Sequence, residues 1–563
     1  MHGDPMKTKL ILIASLLFLV PDPGYTQNLG GDAPGAVQRR ETEIREFYQL
    51  KQKLEGAKEL RPEEGVTDKT KKDQPPAADG GERIFISRIV TDRSEILADE
   101  EVRAIVSPLE GKEVSIRDLF ATVEKINDLY RRKGYLTARA ILPPQKVEGG
   151  TIRIRLVEGR VGTISVEGNR HTWDWFFTSR IDLEEGDLVR LKTLEEDLFY
   201  FNATNDVKMR AEVKPGASTG TTDLVLKTQE PDNYRVSILM DNAGGRTVGQ
   251  ERIGLTLQDA SLLRLRDSLT LGGTVADGTI SGHVSYDLPV TPVGTRLGLA
   301  YDYNHIWITS GAFETLNVEG NSSTLGLTLS QPLMVRPSLI VNGFAGFYWK
   351  KSTTDFDDLT IFQNRNRTLV VGGDFVSIDS YGTWFTRHAV TQGFKDFGGD
   401  RSFFKYNGDL VRTLNLPLEL SALLRAGGQV SGNNLLPSSE QYQVGGIATV
   451  RGFYEGLLVG DDGYFVSAEL GFPLFPADTL LFDARLRSLL RGALFVDHGG
   501  AFPFKGNNES INHNDFLTSA GLGFNLNLSK FLKGRIDIAF PLGDRNPDPG
   551  TVRVHFSLRS EFF

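Results

Sequence analysis

From Tyr234 to the C-terminus, apolar and polar residues alternate in segments of about ten, punctuated by Gly, Asn, Asp and Pro. Ile253, Leu255 and Leu257 alternate with Arg252, Gly254, Thr256 and Gln258. Leu297, Leu299, Tyr301 and Tyr303 repeat the pattern, as do Leu325, Leu327 and Leu329, and finally Val552, Val554, Phe556 and Leu558. A period of two predicts strands with one apolar and one polar face. A β-sandwich alternates too, with its apolar face inward, but its strands recur every 8–12 residues or so. About sixteen segments fill residues 231–563, roughly 21 residues per strand and connection, as in a transmembrane barrel with short turns and long loops. Hydrocarbon also demands closure, because an open edge leaves backbone groups unpaired.

Residues 82–230 have another rhythm, a β-α-α-β-β order that occurs twice. In the first copy (82–158) Arg83–Val90 is a predicted strand and about Asp99–Pro108 a short helix. Ser115–Lys133 is a longer helix, with Ile116, Leu119, Val123, Ile126, Leu129 and Tyr130 on one face. Ser115 and Asp118 form a capping-box-like start and Gly134 a stop. Strands Tyr135–Leu142 and Thr151–Glu158 follow. The second copy (159–230) has strand Val161–Glu167, a helical stretch near Trp173–Ser179, helix Leu191–Asn202, and strands Val207–Lys214 and Thr222–Thr228.

Upstream, Arg39–Leu60 reads as a charged helix whose few apolar residues, Ile44, Phe47, Leu50 and Leu54, make a narrow stripe. Such a helix suits a wet cavity better than a packed core, although a solvated leader has the same pattern. Residues 61–81, with Pro75, Pro76, Gly80 and Gly81, read as a linker. At the start, Lys7 and Lys9 precede the uncharged run Leu10–Val20, too short to span a bilayer and right for a signal peptide, expected over residues 1–26.

The 60 Gly and 34 Phe suit a large barrel with bends and aromatic girdles. The absence of cysteine excludes disulfides, thiolate nucleophiles and Cys-based metal sites, and suits passage through an oxidising compartment. A formal charge of −9 argues against a nucleic-acid partner. None of the H-E-x-x-H, phosphate-loop or G-x-S-x-G signatures occurs, and the eight His show no ligand spacing. No enzyme, metal or cofactor is expected.

One loop stands apart, Gln443–Gly456 (QVGGIATVRGFYEG), between strands at about Leu418–Val430 and Tyr464–Pro473. Val450, Arg451, Gly452 and Phe453 set one cation among small and aromatic residues. Downstream, Phe495, Asp497 and Gly499 share a strand face. An inward-folded Arg451 would pair with Asp497 in a partly desolvated lumen. An ordinary surface loop and an ordinary turn Asp account for the same residues.

V-R-G-F followed by F-x-D-x-G, after two β-α-α-β-β units, resembles the two-partner secretion transporters, whose superfamily includes the outer-membrane assembly factors. The small units resemble POTRA domains, and Gly134-Tyr135 through Pro143-Pro144-Gln145 resembles that family's GY…LPPQ stretch. The resemblance implies an α+β periplasmic part of two POTRA domains followed by an all-β, 16-stranded antiparallel barrel in the bacterial outer membrane. It implies that the sixth extracellular loop enters the lumen with Arg451 against Asp497, and that the 39–60 helix can plug the pore. The POTRA units would receive an unfolded secreted exoprotein, β-helical and encoded nearby, and pass it outward without ATP. Other implied partners are outer-membrane lipid and, during biogenesis, the barrel assembly machinery. One departure is that Phe562 keeps phase with Val552–Leu558 whereas Phe563 does not, which leaves open which of them is the C-terminal assembly signal. An insertase of the same superfamily is the first alternative, but two repeats and an N-terminal helix favour secretion. A passive porin needs neither repeats nor this loop, and an enzyme on a barrel lacks a nucleophile motif.

Overall fold

A computed structural model describes residues 32–56, 65–68, 83–135, 137–218, 220–311, 313–357, 359–432, 434–476, 479–481, 484–503, 515–529, 531–543 and 552–562. The expected signal peptide, most of the linker, the last residues of the 39–60 helix and Phe563 lie outside them.

Sixteen antiparallel strands close into one barrel, from Tyr234–Asp241 to Arg553–Phe562. The first strand pairs with the last, Val236 opposite Phe562 through Asp241 opposite Ser557, so no edge remains. The alternating apolar residues point outward, including Ile253, Leu255, Leu299, Leu327, Val554 and Phe562. The buried side of the wall is polar, with Asn304, Ser322, Asn366, Thr391, Lys405 and Gln429. This is the reverse of a sandwich and the arrangement that lipid requires. Three strands run to nearly twice the expected length: Val318–Arg336, Leu339–Phe356 and Leu359–Ile378, of 19, 18 and 20 residues. At ~3.4 Å per residue and ~45° tilt, twenty residues rise about 45 Å, beyond the ~30 Å of hydrocarbon. Antiparallel pairing simply continues past the membrane, because each added pair satisfies its own backbone.

Both α/β units form. In the first, Ile116–Arg132 starts at the expected capping box: Ser115 Oγ accepts from the Asp118 N–H at 3.2 Å, and the Asp118 carboxylate accepts from the Ser115 N–H at 3.0 Å. Leu119, Val123, Ile126 and Tyr130 are buried in its core, each worth roughly 1.5–3 kcal/mol. Three expectations need correction. The single strand Arg83–Val90 is two, Arg83–Ile86 and Arg88–Thr91, broken at Ser87. The first pairs with an unforeseen strand, Lys112–Ser115, and the second lies parallel to Thr151–Val157. Tyr135–Leu142 shrinks to Arg139–Ile141, because the chain turns at Gly134 (φ +85°) and Pro143 and Pro144 bring no N–H to a ladder.

The second unit buries Phe176, Phe177, Leu194, Leu198, Phe201 and Met209 under the sheet built from Arg160–Glu167, Lys208–Pro215 and Thr221–Gln229. A piece of the expected linker, Val66–Asp68, adds a fourth strand, parallel to Lys208–Pro215 with Val66 opposite Ala211. The Ala211 N–H donates to Gly65 O at 2.8 Å. This unit rests on two barrel turns. Arg266 is ion-paired with Asp206, and the Tyr200 hydroxyl donates to Val293 O at 2.9 Å. These turns mark the end of the barrel nearer the POTRA units, and the loop between Val430 and Asp462 is the sixth at the opposite end.

Candidate functional site

The sixth loop turns back into the barrel. Tyr442–Val444 pairs with Leu458–Gly460 as a short hairpin, and its tip reaches the wall. Val450 and Phe453 are fully buried with Tyr442, Val444, Phe465 and Leu517. Gly452 has φ +93°, its N–H donates to His555 Nε2 at 2.9 Å, and an added Cβ would lie 3.2 Å from that of Ala539. Left-handed backbone in a tight approach requires glycine there.

Arg451 meets Asp497 as a fork. Nε donates to Oδ2 at 2.7 Å and Nη2 to Oδ1 at 2.9 Å, while the Arg451 backbone N–H adds a third bond at 3.1 Å. The Asp497 carboxylate is fully buried and also accepts from the Ser467 hydroxyl at 2.7 Å. Phe495 points into the lumen, two residues before Asp497, and its ring lies 3.5 Å beneath the guanidinium. Gly521, opposite Phe495, leaves the space that ring fills. Gly499, the third residue of the expected face, has backbone and Val444 where a side chain would go. The structure thus brings Arg451, Phe495 and Asp497 together as the sequence suggested, and the surface-loop reading of these residues is not what it contains.

Sequence reasoning missed the rest of the cluster. Arg451 Nη1 also donates to Glu469 at 2.8 Å, and Arg535 bridges Glu469 and Asp537 with bonds of 2.6 to 3.0 Å. Two guanidiniums therefore stand among three carboxylates. The available signal was charge in the lumen phase of a barrel strand: Arg535 and Asp537 alternate with Ile536 and Ile538.

The N-terminal helix, Pro34–Gly56, begins five residues before the expected start and runs inside the barrel. Ile44 packs on Ala243 and on Ile447 of the sixth loop. The Phe47 ring lies under Arg425 at 4.6 Å. Leu50 and Leu54 meet Val376, Phe385 and Val411 on the wall. Polar contacts fix the other faces: Arg252 binds Glu41 at 2.6 Å, Arg45 binds Asp302 at 3.0 Å, and Gln443 of the sixth loop donates to Ala36 O at 2.8 Å. Helix and clamp share a cavity of about 50 Å³, lined by Phe47 and Leu50 on one side and Arg451 and Glu469 on the other. A larger cavity, about 430 Å³, lies between the helix and the first strands, beside Arg235, Arg252, His283 and Asp302. The helix fills the lumen without packing it tightly.

The remaining expected residues lie elsewhere. Gly134 and Tyr135 sit where the POTRA units join: Gly134 O accepts from the Leu191 N–H at 3.1 Å, and Arg190 approaches the Tyr135 ring. Gln145 lends its side-chain amide to both backbone groups of Arg153 at 2.8 Å, acting as a substitute strand residue after Pro143 and Pro144. Phe562 faces outward at the closing pair of strands. Among the described residues no group of three or more His, Asp and Glu is placed to hold a metal ion.

Residues 220–526 match the family described as haemolysin secretion/activation protein ShlB/FhaC/HecB, and residues 84–159 match the POTRA domain, ShlB-type. The heme/hemopexin transporter protein HuxB of Haemophilus influenzae (strain 86-028NP) is 25% identical over 486 residues, covering 82% of this chain and 84% of that protein. The outer membrane transporter CdiB of Escherichia coli O6:K15:H31 (strain 536 / UPEC) is 26% identical over 419 residues, 69% of each. The solved structure of CdiB from Escherichia coli shares the fold, with a TM-score of 0.64 at 20% identity over 94% of this chain and 99% of that one. With more than half its length matching the family and the same barrel and POTRA architecture, the chain belongs to the ShlB/FhaC/HecB family of haemolysin secretion/activation proteins and is an outer-membrane transporter of the two-partner secretion type.

Proposed function

We propose that this transporter carries one large partner exoprotein from periplasm to cell surface, and that the Arg451–Asp497 clamp is the part of the pore on which transport depends. The observation that carries the reading is the buried, forked ion pair with Phe495 beneath it, made by a loop folded back from the far side of the membrane. A loop held this way lines the path and cannot close over it. The helix Pro34–Gly56 blocks that path at rest and must leave or shift for a chain to pass. Its many polar, partly wet contacts suit a removable element better than a dry core would.

The exoprotein arrives extended and is held at the POTRA sheets through its backbone, a mode with little demand on side-chain sequence. Folding outside then biases its diffusion, so no ATP and no catalysis enter. The relatives' names mention heme/hemopexin transport and haemolysin. For this chain a large, β-helical exoprotein encoded nearby is the candidate client.

The deciding experiment compares secretion of that exoprotein by cells with and without the chain, while other outer-membrane barrels are followed. Loss of the one exoprotein from the medium, with other barrels unchanged, is expected. A general loss of barrels would make the chain an insertase.

A further inference from the structure

The short helix Asp174–Thr178 of the second POTRA unit has two different faces. Phe176 and Phe177 are buried in the domain core. Trp173 and Trp175 point away from it, 46% and 56% exposed, and they are two of only five tryptophans in the chain. An exposed tryptophan does nothing for a domain core, and single exposed apolar residues are ordinary. Trp173 is not isolated, and Trp175 stands exposed two residues on from it. The Trp173 indole N–H donates to Leu263 O at 3.2 Å, and its backbone N–H donates to Arg264 O at 3.0 Å. Arg264 lies over the Trp173 ring at 4.2 Å. Leu262 and Leu263, on the same barrel turn, are themselves about half exposed.

This turn joins the barrel strands Arg252–Asp259 and Ser268–Ala276, whose outward residues Leu257 and Leu271 face lipid. A second contact continues the patch sideways. The His171 ring meets the edge of Tyr234 at 6.2 Å, and Tyr234 is the outward residue at the periplasmic end of the first strand. Tryptophan, tyrosine, leucine and arginine at the level where a barrel leaves hydrocarbon is the composition of a membrane interface. Exposed Arg170 and Arg264 supply cations at phosphate depth. Asp174 opposes them but is hydrogen-bonded to Asn169 at 2.7 Å.

We infer that the second POTRA unit rests on the periplasmic phospholipid surface of the outer membrane through Trp173 and Trp175, which together with Leu262, Leu263 and Arg264 form one lipid-contacting patch. The continuity of the patch with the barrel's own lipid belt selects phospholipid headgroups over an exoprotein as its occupant. The inference requires only that the barrel sits in the membrane, so it stands or falls apart from the proposed role of the clamp.

The chain contains no cysteine, so a single spin label reports one place. Trp175→Cys, and separately Glu113→Cys on the first POTRA unit, are labelled in the full chain. Each is reconstituted into vesicles of phosphatidylethanolamine and phosphatidylglycerol. At 175 the label should be several-fold less accessible to a water-soluble nickel complex than at 113, and more accessible to oxygen. Equal nickel access at the two positions overturns the inference. A second measurement keeps both native side chains: in the triple variant Trp307→Phe, Trp349→Phe, Trp384→Phe, brominated phospholipid should quench the remaining fluorescence. Unquenched emission overturns the inference, as does a label at 175 that is shielded only when exoprotein is added.

Discussion

At the residue scale, the decisive contrast is between ion pairs that water still reaches and those it does not. Lys192 and Glu196 are an exposed i, i+4 pair at 3.8 Å, worth at most ~0.5 kcal/mol. Asp497 is fully buried, and removal of the Arg451 side chain would leave its charge without a cation, met only by the Ser467 hydroxyl and the backbone N–H of residue 451. Breaking such a pair from one side costs about 3–5 kcal/mol. Arg451→Ala is therefore expected to release the loop tip and cut secretion by an order of magnitude or more. The barrel should still insert, because no strand pairing involves Arg451. Heat-modifiable migration of the barrel, measured beside exoprotein in the medium, checks both halves. Arg451→Lys keeps the charge but loses the fork, so it should fall between Ala and the parent. Secretion at the parental level by Arg451→Ala would refute the clamp's role.

A residue of the second POTRA unit carries a pH prediction. Burial holds the Asp197 carboxyl above its ordinary range, and Asp182 and Glu196 add to the upward shift despite the Asp182 N–H donating to it. A carboxyl raised on folding binds protons more readily in the folded state. Its stability penalty therefore grows as pH rises from ~4 through the folded value and is complete at neutrality. Asp197→Asn keeps an acceptor for the Asp182 N–H and removes the penalty. The variant should resist proteolysis of its POTRA region to higher temperature at pH 7, with the advantage shrinking as pH falls through the folded value and gone by about pH 4. An advantage that grows on acidification would contradict the assignment.

At the scale of elements, what was legible in the sequence followed from how locally each element is determined. The outward alternation of Leu297 to Tyr303 is written in the chain, because lipid rewards each outward residue separately. The capping box at Ser115 and Asp118 is equally local. The break at Ser87 and the strand Lys112–Ser115 were invisible, since each depends on a partner far along the chain. So was the partnership of Arg535 with Glu469, made by strands that are 66 residues apart in sequence. The linker misled for the same reason: nothing in Val66-Thr67-Asp68 announces a strand until the edge of the second POTRA sheet is there to receive it.

That short strand has a consequence for the exoprotein. It covers the Lys208–Pro215 edge, the kind of edge an extended client would extend by backbone pairing. The same segment lies between the pore helix and the POTRA units in the chain. Linker and client would compete, and a client that wins would free the tether of the helix. Thr67→Pro weakens the linker's hold without touching either domain. It should tighten binding of an unfolded exoprotein segment to the full chain several-fold and raise the fraction of time that single channels conduct in planar bilayers. Unchanged affinity and conductance would mean that the edge is not the client's.

At the scale of the whole molecule, a series of small fixed contacts joins the place where a client arrives to the barrel through which it leaves. The first POTRA unit meets the second where Gly134 O receives the Leu191 N–H. The second meets the barrel through Asp206 on Arg266 and Tyr200 on Val293. The barrel turn that carries Arg266 is itself held: Asp267 accepts from the Leu263 and Leu265 N–H groups and from the Tyr286 hydroxyl at 2.7 Å. If this dock aims the POTRA units at the pore, its two partners should fail unequally. The Arg266 side chain is buried and that of Asp206 is 42% exposed. Removing Arg266 leaves a carboxylate that water can reach, at a cost of about 1 kcal/mol or less. Removing Asp206 strands a buried guanidinium, at a cost of roughly 3 kcal/mol. Asp206→Ala should therefore loosen the unit more than Arg266→Ala does, whereas charge counting alone gives the two equal effects. Spin labels at Glu185→Cys on the second unit and Ser338→Cys on a barrel turn read this directly. Their distance distribution should broaden strongly in Asp206→Ala, slightly in Arg266→Ala, and secretion should fall in the same order while the barrel remains inserted. Equal breadth in both variants would show that the dock is held by backbone contacts such as Tyr200 on Val293, and that the buried charge only fills space.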